Sequence, residues 1–426
     1  MSRRTRLITV AVVVVVLLAG VGAVGASAWQ HFSHRSAIQP EVDGAVAGAR
    51  FDLVRYEVAA IAAKVADLGR RPGVRLNEAE QRRLVEQYQQ RAEEIRHVQG
   101  QVNRIYADAS VADAAAASAD LRARLAQLRY LQADIRPEVE AIVERQVEAG
   151  LEAAGLTTAG TVFPPLRFNF TSPPNYLVVS PRDRIELEAS THLQPDLDMA
   201  AIEDIEKEVA ARFDRSTLVE GLGGLGAWPT LVLDQASLAW ILETVAHEWV
   251  HNYMVFHALG QHMFDGPGMN TINETVASIV GEEIGQKLAH DLYGIPYPPP
   301  PPPPGSQAPL PPPDPDRFDF NTEMRRTRLH ADELLAQGKV DEAEQYMEQR
   351  RQEFVKNGYA LRKLNQAFFA FHGSYATGAA SSDPIGPKLQ ELRKLTPDLA
   401  TFVAVVRGIR QPADLDALLA EWASHK

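Results

Sequence analysis

His247-Glu248-Trp249-Val250-His251 stands inside a long apolar stretch, residues 236–259, that reads as one helix. Side chains four apart share a helical face, so His247 and His251 point the same way, one turn apart. Two imidazoles so placed can share a single Zn²⁺, each at about 2.0–2.1 Å. Glu248 lies about 100° around the axis from His247, where a carboxylate reaches a water held at the ion without ligating the ion itself. Zinc lowers the pKa of such a water to about 7.

The pattern is specific. With 12 histidines in 426 residues, chance supplies roughly 0.02 copies of HExxH. Trp240, Val245, Trp249, Val250, Tyr253 and Phe256 give the helix apolar faces to bury. The chain has no cysteine, so thiolate nucleophiles, disulfides and Cys-ligated metals are excluded, and a metal must be held by His, Asp and Glu.

A catalytic zinc site needs a third protein ligand and an open fourth position. His257, six residues past His251, has metzincin spacing, which requires a glycine between them to break the helix. Met254 occupies that position, so the helix is expected to continue and carry His257 about 9 Å along the axis. Glu274, 23 residues past His251, stands early in a second expected helix, residues 271–292, behind the Gly266-Pro267-Gly268 turn. That turn lets the second helix return antiparallel and present a carboxylate to the histidines.

On these residues the chain resembles the gluzincin metallopeptidases, the thermolysin-like group marked by HExxH and a downstream Glu on the following helix, often preceded by Asn. The resemblance covers roughly residues 231–292. It implies a zincin-like catalytic core, His247, His251 and Glu274 as zinc ligands, and Glu248 as the catalytic base. It also implies that the short strand before the helix borders the cleft and pairs with extended substrate. One position departs: the Asp expected four residues after the ligand Glu, as partner of a ligand histidine, is Ser278. Glu243 or the Glu282-Glu283 pair are the substitutes at hand.

Residues 359–369, followed by His372-Gly373-Ser374-Tyr375, are similar to the Asn-bearing helix and following Tyr of predicted membrane-associated bacterial aminopeptidases. A zinc peptidase needs a donor for the developing oxyanion. Tyr375 is the first choice, followed by His372 and Tyr359. His262 and His290 read as ordinary surface or loop residues.

Upstream of the motif, residues 166–170, 176–179 and the strictly alternating 184–189 read as strands separated by Pro-Pro turns. Met199–Phe213 reads as a helix and Thr230–Leu233 as a strand. The run Gly221-Leu-Gly-Gly-Leu-Gly226 lacks the GxGxxG phosphate pattern and reads as a flexible connection. Residues 36–155 read as long amphipathic helices, a stalk, a lid or a plain bundle, broken near Arg71-Pro72-Gly73 and strained at Arg136-Pro137.

Residues 7–29 carry no charge and follow Arg3, Arg4 and Arg6, the pattern of a membrane-targeting segment with its positive end inside. Their length suits a span of roughly 20 apolar residues, and Ala26-Ser27-Ala28 equally suits signal cleavage. Either outcome puts the rest of the chain outside the cytoplasm, as a single-span membrane protein or a secreted one. Residues 296–316 form a proline-rich spacer. Its unbroken Pro298–Pro304 run would stand as polyproline II roughly 22 Å long. Beyond it the chain reads as helical, with turns at Gly338, Gly358 and 381–386.

The expected fold is therefore mainly α with a small β-sheet, α+β. An N-terminal membrane segment (1–29) precedes a helical region (36–155), a catalytic core (163–295), the spacer, and a C-terminal helical region (317–426) completing the catalytic unit. A net charge of −12 argues against nucleic acid as a partner. The expected function is an extracytoplasmic zinc-dependent peptidase acting on peptides or proteins, with aminopeptidase action as one form. In that form Glu243, Glu282 and Glu283 are candidates to hold the substrate's ammonium. The competing reading, from another class, is a non-catalytic helical envelope scaffold with a structural or degenerate zinc site.

Overall fold

The computed structural model describes residues 36–68, 76–107, 113–296, 318–359, 361–373 and 384–424. The apolar segment 7–29, the Arg71–Gly73 break, the proline run and Tyr375 lie outside them. Among the described residues no helix is long and apolar enough to cross a membrane.

The architecture is mainly helical with two small sheets, an α+β arrangement. The first part contains α1 (Gln39–Ala45), α2 (Leu53–Leu68), α3 (Glu78–Ala107), the single turn α4 (Ala114–Ala117) and α5 (Ala119–Ala153). Strain at Pro137 does not interrupt α5, which runs through it between buried Gln132 and Val139. Next come β1 (Phe168–Thr171), β2 (Asn175–Ser180), β3 (Ala189–Leu193), α6 (Met199–Phe213), β4 (Ser216–Gly221), β5 (Gly224–Leu225) and β6 (Thr230–Leu233).

The expected strand at 184–189 is a correction. Pairing begins only at Ala189, opposite Val179. Before it the backbone is tied to the Ser180 hydroxyl, which accepts from Glu186 N and donates to Arg184 O, leaving the alternating charges on a surface excursion.

One sheet is antiparallel, ordered β3-β2-β4. The other is ordered β1-β6-β5, with β1 parallel to β6 and β5 antiparallel to it. The outer edge of β1 is closed by side chains: Glu140 and Glu144 of α5 accept from Phe170 N (2.8 Å) and Phe168 N (3.1 Å). Lys64 of α2 sits between the same carboxylates at 2.8 and 3.0 Å, so these buried acids are paired as well as hydrogen-bonded.

The helices that follow are α7 (Leu238–Met254), the turn α8 (Ala258–Gln261) and α9 (Pro267–Tyr293). After the proline-rich segment come α10 (Phe320–Ala336), α11 (Val340–Lys356), α12 (Gln366–His372), α13 (Ile385–Leu395), α14 (Leu399–Val406) and α15 (Pro412–Ser424). The principal core joins α5, β1, α7, α9 and α13–α15: Ile142, Val143 and Val147 pack in one cluster with Val245, Val276, Val280 and Phe402. A second core packs Val178 and Leu218 of the antiparallel sheet under α10–α12.

Within the principal core α7 and α9 lie antiparallel and close. A Cβ added at Gly281 would stand 2.8 Å from Glu243 O and 3.0 Å from His247 Cβ, and one at Gly285 would run into the Glu243 backbone. These two glycines, four residues apart on one face of α9, let the helices approach until their side chains can share a ligand.

Candidate metal centre

Ser237 caps α7, its hydroxyl accepting from Trp240 N at 3.4 Å. Trp249 fixes the helix's rotation by donating from Nε1 to Pro164 O at 2.8 Å. This leaves His247 and His251 on the face toward α9, with their Nε2 atoms 3.1 Å apart. Glu274, two turns into α9, places Oε2 at 3.5 Å from His247 Nε2 and 3.6 Å from His251 Nε2.

Among the described residues, these three form the group whose ligand atoms all lie within 4.8 Å of one another. A tetrahedral ion with ligands at about 2.0–2.1 Å separates any two of them by about 3.3–3.4 Å. The observed spacings bracket that value. Glu274 Oε2 is also buried without a properly directed hydrogen bond among the described residues, as a ligand oxygen awaiting a cation would be.

The electrostatics agree with the geometry. Burial works to raise the Glu274 pKa, but the charge on His251 and the two facing imidazoles hold the carboxyl well below its usual range. Burial works to lower the His251 pKa, and the Glu274 carboxylate overrides it, pushing the ring up to about 9. The Glu274 carboxylate and the imidazoles facing it thus favour positive charge between them. On its far side His251 Nδ1 lies 2.7 Å from Asn273 Oδ1. That carbonyl accepts the Nδ1 proton and so holds Nε2 toward His247 and Glu274.

Glu248 is buried, and burial raises its pKa against the pull of His247 and His251. Its position depends on the glycine run, which corrects the expectation of a flexible connection. Residues Gly224–Leu225 are the edge strand β5, and a Cβ on Gly224 would lie 2.5 Å from Glu248 Oε1 and 2.8 Å from Thr244 Cγ2. A Cβ on Gly226 would stand 3.3 Å from Glu248 Oε2 and 3.2 Å from His251 Cβ. Asn252 pins the end of the run to α7, donating from Nδ2 to Ala227 O at 3.0 Å. The strand against the acid is therefore β5, an edge strand, whereas Thr230–Leu233 (β6) is paired on both sides.

The second helix begins four residues earlier than expected, at Pro267, and the first ends earlier, at Met254. The end of α7 tightens through His257 N to Met254 O (2.8 Å), and Gly260 lies so close over the Met254 carbonyl that no side chain would fit. His257 consequently leaves the helix, where the sequence suggested it would continue. Its ring packs at a tilt against Tyr253, centroids 4.4 Å apart, outside the cluster.

Among the acidic candidates, Glu283 is taken up by Arg393 in a bidentate pair at 2.7 and 2.9 Å. Glu243 and Glu282 face each other near His247. Burial, then the charge of Glu282, raises the Glu243 pKa; burial and Glu283 raise that of Glu282. His372 packs on Phe368 and approaches Glu220 at 3.9 Å. Tyr359 packs against Phe318, Phe320 and Phe354. Neither contact set includes His247, His251 or Glu274. His262 pairs with Asp265 and His290 with Asp291.

Asn273, Asn252 and the close-approach glycines escaped the motif reading. Their available signals were the Asn beside Glu274, four glycines in six residues just before the motif helix, and two helical glycines four apart. The chain matches no protein-family model, no curated protein and no solved structure.

Proposed function

We propose that this protein is an extracytoplasmic zinc-dependent peptidase of gluzincin type, tethered by its N-terminal apolar segment, with His247, His251 and Glu274 as ligands and Glu248 as general base. The observation that carries the reading is the convergence of three ligand atoms at 3.1–3.6 Å, including an orphaned carboxylate oxygen, beside a fourth buried acid. Zinc held there supplies Lewis acidity toward a water and a scissile carbonyl.

The remaining work falls to the chain. Glu248 takes a proton from the attacking water as the new C–O bond forms, then gives it to the departing amine as the C–N bond breaks. Burial favours this role by bringing its pKa up toward the working pH. The free edge of β5 offers backbone groups to an extended substrate beside that acid. The carboxylates of Glu243, one turn before His247 on α7, and of Glu282, across from it on α9, suit a substrate with a free ammonium end, which favours aminopeptidase action. An intact, buried Glu248 is superfluous to a purely structural site.

The test is elemental analysis together with hydrolysis of a mixed peptide library. Wild type should bind zinc stoichiometrically and lose cleavage with a chelator. Glu248→Gln should keep the zinc and lose about 10²–10⁴-fold in rate. A wild type that cleaves nothing and behaves as Glu248→Gln does would sink the proposal.

A further inference from the structure

A second polar site lies at the opposite end of α7, roughly 15 Å along the helix from Glu248. There the parallel strands β1 and β6 both end, and α5 crosses them with Arg129, Gln132 and Arg136 on one face. These side chains, with Ser172 and Asp234 at the strand ends, line a recess of about 400 Å³. Crevices beyond the carboxyl ends of parallel strands are common ligand positions, and this volume suits a small molecule.

The recess holds unmet hydrogen-bonding demand of both signs. Gln132 is 2 % exposed, yet its Nε2 has no partner among the described residues. Arg136 Nε is likewise a buried donor without an acceptor, and Asp234 Oδ1 a buried acceptor without a donor. Arg136 and Asp234 form a loose ion pair at 4.0 Å, too long for a hydrogen bond between them. Tyr88, fully buried behind them, turns its hydroxyl toward the Arg136 guanidinium without a well-directed hydrogen bond. Arg129, braced by Gln99 at 3.1 Å, brings a second guanidinium to the rim.

Buried polar groups are nearly always paired, so this cluster calls for a molecule that both accepts and donates. A plain anion would answer the arginines and leave Asp234 facing like charge. We propose that the recess binds a small zwitterion, a free α-amino acid or dipeptide, with its carboxylate toward Arg129, Gln132 and Arg136 and its ammonium toward Asp234. The site is independent of the metal centre and of the peptidase reading.

The experiment is calorimetric titration of the full-length chain in detergent with a panel of free α-amino acids and simple dipeptides. It is run in the Glu248→Gln background with zinc present, so that turnover of the dipeptides is suppressed. At least one member should bind, while its N-acetyl and amide derivatives, each lacking one charge, should bind about tenfold more weakly or worse. Arg136→Gln and Asp234→Asn should each cost about tenfold or more in affinity. Ser172→Trp, on an exposed rim position that leaves the core intact, should block the recess and remove binding. The proposal is overturned if no member binds, so that water alone fills the recess, or if inorganic phosphate or the N-acetyl derivatives bind as tightly as the parent. It is equally overturned if Ser172→Trp leaves binding intact, or if a chelator abolishes it and so assigns the ligand to the His247 cluster.

Discussion

Asn273 Oδ1 sits 2.7 Å from His251 Nδ1, so the residue just before the carboxylate Glu274 orients the imidazole that faces it. Two adjacent positions on α9 thus act on the same ring from opposite sides. Replacing the amide by an apolar group frees the ring to rotate and to change tautomer. Asn273→Leu should lower zinc affinity by about 10–100-fold, read by competition with a coloured chelator. Ser278→Ala, at the position where the gluzincin pattern has its acid, should leave affinity unchanged. Equal affinities for Asn273→Leu and wild type would remove Asn273 from the site.

Gly224 sets the position of the base from the other side. Its missing side chain leaves the space into which Glu248 Oε1 projects, and a methyl group there would push the carboxylate aside or drive β5 away. Misplacing a reacting group by about 1 Å costs on the order of 10²-fold in rate. Gly224→Ala should therefore lower kcat by about that factor while zinc content stays at the wild-type level. A variant with wild-type kcat would show that β5 yields without disturbing Glu248.

The convergence of His247, His251 and Glu274 was legible because helical periodicity is local: His247 and His251 are four apart and so share one face of α7. Met199–Phe213 and Thr230–Leu233 were legible for the same reason, as clean runs of one period. What the sequence hid was set by distant contact. Gly281 and Gly285 look like helix weakeners until α7 lies against them, and the run 221–226 looks like slack chain until Glu248 fills the space beside it. The alternation at 184–189 misled because it reports charge spacing, whereas pairing is decided by which backbone groups find a neighbour. His257 left the helix through the fold-back of Gly260 over Met254, which no local pattern records.

Glu206 of α6 ties the antiparallel sheet to the chain before α12. Its buried carboxylate accepts from Val219 N at 2.6 Å and pairs with Arg362 and Lys363, each at 2.6 Å. Burial would raise its pKa, but Arg362 and Lys363 outweigh that and lower it from 4.5. A group whose folded pKa is depressed contributes its stability above the unfolded pKa and loses it as pH falls through the folded value. Glu206→Ala should cost about 3 kcal/mol at neutral pH. That deficit should shrink as the pH falls below about 4.5, where Glu206 of the unfolded chain takes up a proton while the folded carboxylate still holds its charge, and vanish only below the depressed folded value. Urea melts at neutral pH and at about pH 3 make the comparison, and a deficit of equal size at both would contradict the assignment.

Whether the helices before residue 156 cover a finished enzyme or build it is a question of energy. Val139, Ile142, Val143, Val147 and Leu151 of α5 are at most 1 % exposed and share one core with α7 and α9. Full burial of such a side chain stabilises by about 1.5–3 kcal/mol, so the five together contribute on the order of 10 kcal/mol. That is comparable to the whole stability of an ordinary domain, about 5–15 kcal/mol. Removing α5 would also leave the N–H groups of Phe168 and Phe170 without Glu144 and Glu140, opening the outer edge of β1. A chain beginning at residue 156 should consequently fail to give a cooperative thermal transition by circular dichroism and should not retain zinc. A soluble, cooperatively melting fragment with raised peptidase activity would instead make these helices a removable lid. Through the core contacts of α5 these helices are instead the wall against which α7 and α9 pack.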